Sequence, residues 1–145
     1  MTTAQHLAVI ERLRARAFPA RRGPSDVGTS GPGYHLAELA RGDGLGDDDG
    51  TRRADEADQF DAEHAALAEI LTLRFGEPWY MSTWSVQVRG GEGEEIPEPW
   101  RELSGGPRFL YLWRVEDRWL AIGLAEADEE RPFRLLAVVT ATDPP

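Results

Sequence analysis

Large apolar residues are concentrated between residues 109 and 124, in two runs that predict a β-hairpin. Phe109–Val115 and Trp119–Leu124 are rich in aromatic and aliphatic side chains, which suit a pleated, half-buried surface. A two-residue turn within Glu116–Arg118 places the large side chains of both runs on one face, because register and side-chain direction are locked together. That face would hold Phe109, Tyr111, Trp113, Val115, Leu120, Ile122 and Leu124. A three-residue loop would turn the second run over, so we prefer the two-residue turn.

The remaining hydrophobic pattern predicts two more strands and two helices. Phe133–Thr140 continues the hairpin as an antiparallel meander, and alternation over Trp79–Arg89 predicts a strand with one open face. Apolar residues at spacings of three and four predict helices from Thr2 to about Phe18 and from about Asp55 to Phe75. The predicted fold is therefore α+β, with an antiparallel sheet of about four strands and two main helices packed on it, in the order α-α-β-β-β-β.

Two connections lie between these elements. Residues from about 19 to 52 are rich in glycine, proline and aspartate, which predicts a flexible loop within a single domain covering residues 1–145. Within this loop only Tyr34–Ala40 has a pattern suited to a short helix. The second connection, before the hairpin, contains Pro99–Leu103, which can form one helical turn with Trp100 as an anchor to the core.

Two motifs in the long loop suggest ligand sites but are incomplete. Gly28–Gly33 is glycine-rich, yet it lacks the preceding strand and the Gly-Lys-Ser/Thr ending of a phosphate loop. Leu45–Glu56 places Asp47 and Asp49 at ligand positions of a calcium loop, but Leu45 stands where the first acidic ligand belongs. We therefore predict no metal site here.

Composition and charge narrow the choice of partners. The chain has 145 residues, no cysteine and a formal net charge of −10. Disulfides and thiolate metal sites are excluded, and the negative charge predicts repulsion from nucleic acid and anionic membranes. A basic protein is the partner that this charge favours. No run approaches the roughly 18 apolar residues of a membrane helix, and Glu11 with nearby arginines breaks up any signal-peptide core, so we expect a cytoplasmic protein.

Catalytic chemistry has no recognisable motif in this sequence. His6, His35 and His64 are not spaced as metal-ligand pairs, and Ser104 lies in a glycine-rich turn instead of a nucleophile motif. The acidic stretch Glu94–Glu98 also lies among glycines, where water would reach its carboxylates. We predict no catalytic residue, no bound metal and no cofactor.

The second face of the hairpin is the best candidate for a binding surface. Leu110, Leu112 and Trp119 are large and apolar there, beside small residues that let another molecule come close. If this face is open to solvent, it forms a partner-binding surface, to which we add Trp79 from the preceding strand. The alternative is that the protein's own first helix, or Tyr34–Ala40, covers this face.

These features favour a non-catalytic protein-binding module, immunity- or inhibitor-like, that uses an acidic surface and an apolar sheet face. In size, acidity and architecture the chain resembles bacterial toxin-neutralising immunity proteins. The resemblance is one of general character and assigns no residue. Two alternatives stay open: a small-ligand-binding or enzymatic domain with a pocket between the sheet and the long loop, and a homo-oligomeric structural module.

Overall fold

The computed structural model describes residues 2–43 and 50–145. In these two ranges the chain forms four helices and seven strands, in the order α-β-β-β-α-β-α-α-β-β-β. The helices are α1 (Thr3–Ala15), α2 (Thr51–Phe75), α3 (Thr83–Gly91) and α4 (Trp100–Leu103). The strands are β1 (Gly23–Pro24), β2 (Gly28–Gly31), β3 (Tyr34–Arg41), β4 (Trp79–Ser82), β5 (Phe109–Val115), β6 (Arg118–Ala125) and β7 (Arg134–Thr140).

The described strands form one sheet in the order β1-β2-β3-β7-β6-β5-β4, and every neighbouring pair is antiparallel. The fold class is α+β, but the prediction of about four strands and two main helices in the order α-α-β-β-β-β is wrong. Three strands lie before α2, where a flexible loop was predicted. A helix also replaces most of the strand predicted after α2.

The prediction of the C-terminal meander is confirmed. Val115 pairs with Arg118, so Glu116 and Asp117 form the two-residue turn. Glu116 has a φ of 58°, the positive value that two-residue hairpin turns need at their first central position. Trp113 lies directly opposite Leu120. The large apolar side chains of β5 and β6 therefore share one face, as the sequence predicts.

β3 corrects the prediction of a short helix at Tyr34–Ala40. The strand pairs with β2 on one side and with β7 on the other, and its first four residues are buried. Tyr34 and Leu36 point to one face of the sheet, whereas Ala37 and Leu39 point to the other. A strand buried on both faces carries a nearly continuous apolar run, which periodicity alone does not distinguish from a short buried helix.

β1 and β2 lie inside the segment predicted to be a flexible loop. They are short and glycine-rich, and they extend the sheet beyond β3. At Gly28 the two backbones approach so closely that a Cβ atom would clash with the carbonyl oxygen of Leu36. Glycine in this strand therefore permits close pairing of the backbones. Composition measures how much apolar surface a segment can bury, and it does not detect a strand that is held by backbone hydrogen bonds.

The strand predicted over Trp79–Arg89 ends at Ser82, where β4 gives way to α3. Thr83 fixes this junction. Its backbone N–H donates to the carbonyl oxygen of Arg108 at 3.1 Å, and its hydroxyl donates to the carbonyl oxygen of Pro107 at 2.5 Å. These contacts to the segment before β5 override the strand preference of the sequence, because that preference depends strongly on tertiary context.

Helices cover both faces of the sheet. α1 and α2 pack on the face that holds Trp113, and a core forms between them and the sheet. The other face is covered by α3, α4 and the connection between them, which contribute Val86, Ile96, Trp100 and Leu103 to a second core. The second face is thus covered by the protein itself, although by helices other than the elements that the sequence nominated.

α4 is the helical turn predicted at Pro99–Leu103, and Trp100 is the anchor predicted for it. The Trp100 ring is fully buried. Its indole Nε1 donates to the carbonyl oxygen of Thr142 at 3.1 Å. The tryptophan thereby joins the connection after α3 to the segment that follows β7.

Candidate partner-binding site

Of the four residues that the sequence nominates for partner binding, two are buried and two reach the surface. Leu110 and Leu112 are 0% and 2% exposed, packed in the second core under α3 and α4. Trp119 is half-buried, and Trp79 is 67% exposed. A partner that meets this conformation can therefore contact mainly Trp79 and Trp119, since Leu110 is inaccessible and little of Leu112 is exposed.

Three of the most exposed large apolar residues in the described ranges lie at or next to one edge of the sheet, whereas Leu73 of α2, at 81%, is exposed separately. Trp79 and Tyr80 of β4 are 67% and 66% exposed, and Trp84 of α3 is 70% exposed. We call these three residues the aromatic edge. Sequence reasoning missed Tyr80 and Trp84, because the predicted alternating strand places both on its buried face. The available signal was local: three large aromatic residues occur within six positions at the end of the sheet.

A groove lies on the second face of the sheet beside the aromatic edge. It has a volume of about 360 Å3, Leu112 contributes to its lining, and Trp79 and Trp119 line it together with the segment Asp143–Pro145. The two indole rings are nearly perpendicular, at 76°, with centroids 5.7 Å apart. We call this the tryptophan groove. Its chemistry is that of aromatic faces beside one carboxylate.

Polar contacts hold one wall of the tryptophan groove in place. The indole Nε1 of Trp119 donates to Oδ1 of Asp143 at 3.0 Å. The guanidinium of Arg114 lies over the Trp119 ring, 5.5 Å from its centroid, and 3.8 Å from the same Oδ1 atom. Arg114 and Trp119 are directly paired across β5 and β6. The wall therefore already contains a cation stacked on an aromatic ring next to a carboxylate.

On the opposite face, a stack of rings supports the aromatic edge. Tyr80 stacks on Phe109 with ring centroids 5.0 Å apart, and Tyr111 stacks on His64 of α2 with centroids 5.6 Å apart. His64 is buried, which lowers its pKa although Asp61 acts in the opposite direction. The ring is therefore held in its neutral form near pH 7. This stack fixes Tyr80 against the body of the protein.

β4 lies at the end of the described sheet, yet its backbone offers few groups to an added strand. The backbone N–H of Thr83 donates to the carbonyl oxygen of Arg108, next to the pairing of β4 with β5. Along an antiparallel ladder, residues whose backbone groups bond to the neighbouring strand alternate with residues whose backbone groups point away from it. The backbone of Tyr80 consequently points outward. The preceding outward position is Pro78, which has no N–H to donate. A short edge strand that directly follows a proline resists strand pairing, so side chains supply most of the contact surface here.

A serine and a histidine form a second polar arrangement, at the other end of the sheet. Ser30 and His35 are directly paired across β2 and β3, and Ser30 Oγ lies 2.7 Å from His35 Nδ1. His35 Nε2 lies 3.3 Å from the carbonyl oxygen of Arg16. Burial lowers the pKa of His35, so the neutral ring accepts from the hydroxyl of Ser30 and donates to this carbonyl. The serine–histidine pair joins the hairpin formed by β2 and β3 to the end of α1.

This serine–histidine pair also borders a cavity of about 260 Å3, lined in part by Arg21 and Pro24. A histidine that accepts a hydrogen bond from a serine, and whose ring is oriented through its other nitrogen, has the arrangement of a general base. Ser30 is only 7% exposed, however, which restricts access of an acyl group to its hydroxyl. The two contacts of His35 hold the β2–β3 hairpin against the end of α1.

The acidic connection after α3 borders a larger cavity, of about 470 Å3. Glu94 and Glu95 are exposed there, in agreement with the prediction that water reaches these carboxylates. The guanidinium of Arg89 donates to both carboxylate oxygens of Glu94, at 3.1 and 2.5 Å. Oε2 of Glu98 accepts from the backbone N–H of Glu102 at 3.1 Å. Two of these carboxylates are thus engaged in local structural contacts.

Within residues 2–43 and 50–145, no group of three or more histidine, aspartate or glutamate residues is placed to hold a metal ion. Asp47 and Asp49 of the calcium-loop pattern lie outside the described residues. None of the helices in the described ranges combines the length and the apolar character that crossing a bilayer requires.

Comparison with known proteins gives no family assignment. No protein-family model, curated protein or solved structure shows a significant match to this chain. The function has to be argued from the residues of this chain alone.

Proposed function

We propose that this protein is a non-catalytic binding module of the cytoplasm that takes a basic protein partner on its aromatic edge. The observation that carries the proposal is the exposure of Trp79, Tyr80 and Trp84, each about two-thirds open to solvent and close together in sequence around β4. Each of these side chains leaves roughly 100–150 Å2 of largely apolar surface in water. Trp79 faces the tryptophan groove and Tyr80 faces the ring stack on the other side, so the exposed apolar surface continues around this edge of the sheet.

The residue types of the aromatic edge suit a protein interface. Tryptophan and tyrosine are enriched among the few residues that supply most of the binding energy of interfaces. Each offers a large rigid surface with a polar group at one end, so little conformational entropy is lost on binding. The rings beneath Tyr80 hold it in place before a partner arrives, and such preorganisation lowers the cost of association.

Charge favours a basic partner. The chain has a formal net charge of −10. α2 contributes exposed carboxylates at Asp55, Asp58, Asp61 and Glu69. A field of this sign accelerates the approach of a positively charged protein and slows that of an acidic one. In this proposal the acidic surface steers the partner, and the aromatic edge supplies the contact energy.

The proposal is tested by recovering the partner with matched baits. The wild-type protein and a Trp79→Ala/Trp84→Ala double variant are used to capture proteins from a lysate of the source organism, and captured proteins are identified by mass spectrometry. We expect a basic protein that binds the wild type, is lost from the variant and dissociates at high salt. Its affinity is then measured by calorimetry with purified components. A basic protein that binds both baits equally would contradict the proposal.

Self-association is the alternative to binding of a basic partner through the aromatic edge. The same aromatic surface on two copies can bury itself, because a two-fold interface uses one patch twice. Light scattering decides between the two. A mass well above 16.1 kDa that returns to the monomer value in the double variant assigns the aromatic edge to self-association.

The serine–histidine pair favours a second candidate function, acyl transfer at the cavity bordered by Ser30. The observation for it is the 2.7 Å separation of Ser30 Oγ from His35 Nδ1. The chemistry would require attack of the serine oxygen on an acyl carbon, with the proton passing to His35 and then to the leaving group. A fluorophosphonate reagent tests this candidate directly. Labelling of Ser30 that disappears in His35→Ala supports it, and absence of labelling overturns it.

A further inference from the structure

We infer that the tryptophan groove is a binding slot for an arginine side chain of the protein partner. This inference rests on the proposed function, since it specifies how the basic partner is recognised. The groove combines three things that a guanidinium group requires: aromatic faces, a carboxylate and an apolar channel for the aliphatic stem. Trp79 and Trp119 supply the faces, Asp143 supplies the carboxylate, and Leu112 lines the channel.

The aromatic faces attract a cation. A guanidinium over the face of tryptophan is stabilised by the ring quadrupole, and tryptophan is the most effective of the aromatic residues in this role. The perpendicular arrangement of the Trp79 and Trp119 rings gives the slot two walls at a right angle, so a planar group can lie flat on one ring while it meets the other. Trp79 is largely exposed and therefore accessible to a partner.

A guanidinium of the protein itself lies beside the slot, against two of its lining residues. Arg114 lies over the Trp119 ring and near Asp143. Its ion pair with Asp143 is long, at 3.8 Å, and the two side chains are 44% and 83% exposed, so the pair is weak. A carboxylate accepts several hydrogen bonds through its two oxygens. Oδ1 of Asp143 receives the Trp119 indole N–H, and the highly exposed side chain leaves Oδ2 accessible for an incoming donor.

Arginine fits the slot better than lysine. Its guanidinium is planar, stacks on aromatic rings, presents several donors to one carboxylate and is weakly hydrated, whereas the lysine ammonium is a compact and strongly hydrated charge. The volume of the groove, about 360 Å3, and its largely apolar walls suit the hydrocarbon stem of the side chain. The net charge of −10 adds a long-range attraction for a partner that presents arginine.

Two peptides test this slot without knowledge of the partner. One is the tripeptide acetyl-Gly-Arg-Gly-amide, and the other carries citrulline in place of arginine, which keeps the shape and removes the charge. Binding is followed by NMR through the indole N–H signals of Trp79 and Trp119. We expect saturable shifts of these two signals with the arginine peptide, and about tenfold weaker binding of the citrulline peptide. Equal binding of both peptides, or no binding of either, would overturn the inference.

Matched variants locate the slot. Trp79→Ala and Asp143→Asn are expected to abolish the response to the arginine peptide, because the first removes an aromatic wall and the second removes the negative charge. Asp55→Asn changes the net charge by the same amount as Asp143→Asn but lies on α2, so it should keep the response. Trp84→Ala removes an equally exposed tryptophan outside the groove and should also keep it. If Trp84→Ala or Asp55→Asn weakens binding of the arginine peptide as much as Trp79→Ala does, binding is non-specific and the inference fails.

The protein partner separates failure of the slot from failure of the proposed function. If the proposed function and the arginine slot are both correct, Asp143→Asn weakens the binding of the purified basic partner at least threefold, and Trp84→Ala weakens this binding as well. If the partner depends on Trp79 and Trp84 but is indifferent to Asp143→Asn, and the peptide does not bind, the aromatic edge is the interface and the arginine slot is wrong. If no basic protein depends on Trp79 or Trp84, the proposed function fails whatever the peptide does.

Discussion

The meander in the middle of the sheet and the edge formed by β4 and α3 use similar residues in opposite ways. In the meander, Trp113 is 1% exposed, and its indole Nε1 donates to the carbonyl oxygen of Gly76 at 2.8 Å. At the edge, Trp79 and Trp84 are about two-thirds exposed. The first tryptophan is explained by packing, because it fills the core under α2. The edge tryptophans leave most of their surface outside any core, and this difference directs the functional argument to the edge.

The comparison also explains what the sequence could and could not predict. Strong alternation and a short turn determine the meander locally, so Trp113 and Leu120 were predicted on the same face, as the structure shows. Residues 79–89 alternate equally well, yet their conformation is decided by the contacts of Thr83 with a distant segment. Tertiary contacts of this kind are not visible in a local pattern.

The candidate site shows the same division. Trp79 and Trp119 were nominated for an apolar sheet face, and both line the tryptophan groove. Leu110 and Leu112 were nominated for the same reason but are buried by α3 and α4. Whether a sheet face is covered depends on the path of the chain. α3, which helps to cover the second face, lies in a segment that the sequence predicts as a strand. Asp143 had no signal at all, since its role comes from the position of Trp119.

The largest expected effect contrasts one tryptophan from each region. Trp113→Ala should lower the free energy of unfolding by about 3–5 kcal/mol, because it leaves a cavity in the core and an unpaired carbonyl at Gly76. Trp79→Ala should lower it by less than about 1 kcal/mol, since most of the ring is already in water. Urea denaturation of both variants measures this difference. A loss of similar size at Trp79 would show that the edge is structural and would remove the main reason to assign it to binding.

A smaller contrast comes from two glycines. A Cβ atom at Gly123 in β6 would lie 2.7 Å from Cδ2 of Leu110 and 2.8 Å from Cγ of Pro107. Gly123→Ala should therefore destabilise the protein by about 1–3 kcal/mol through overpacking. At Gly91 in α3 a Cβ would meet nothing within 4 Å, so Gly91→Ala should stabilise by up to about 1 kcal/mol. Thermal unfolding of the two variants, with opposite shifts in Tm, would sharpen the distinction between a filled interior and an open edge.

The buried region should also respond to acid. His6 of α1 is fully buried, neither ring nitrogen has a hydrogen-bond partner in the described chain, and burial lowers its pKa despite the nearby Glu63. The unfolded chain takes up a proton near the ordinary value of about 6.5, whereas the folded chain resists it until a lower pH. Stability therefore falls as the pH drops below about 6.5.

His6→Leu tests this contribution, because leucine fills similar space and does not titrate. Urea denaturation at pH 7.5 and pH 5.0 should show a smaller loss of stability in the variant than in the wild type. Some loss should remain, since burial also lowers the pKa of His35 and His64. An unchanged pH dependence in His6→Leu would mean that the ring is solvated or paired in the folded protein, contrary to the packing of α1 described above.

The smallest expected effect on stability belongs to Asp143→Asn, and it is informative because it should be small. Asparagine retains an oxygen that can accept the Trp119 indole N–H, and the long ion pair with Arg114 is exposed and weak. The free energy of unfolding should therefore stay within about 0.5 kcal/mol of the wild type in urea denaturation. Preserved stability would mean that any loss of arginine binding in this variant reflects the missing charge. A destabilisation above about 2 kcal/mol would instead make Asp143 a structural brace for the groove, and the edge would then resemble the meander more than we argue.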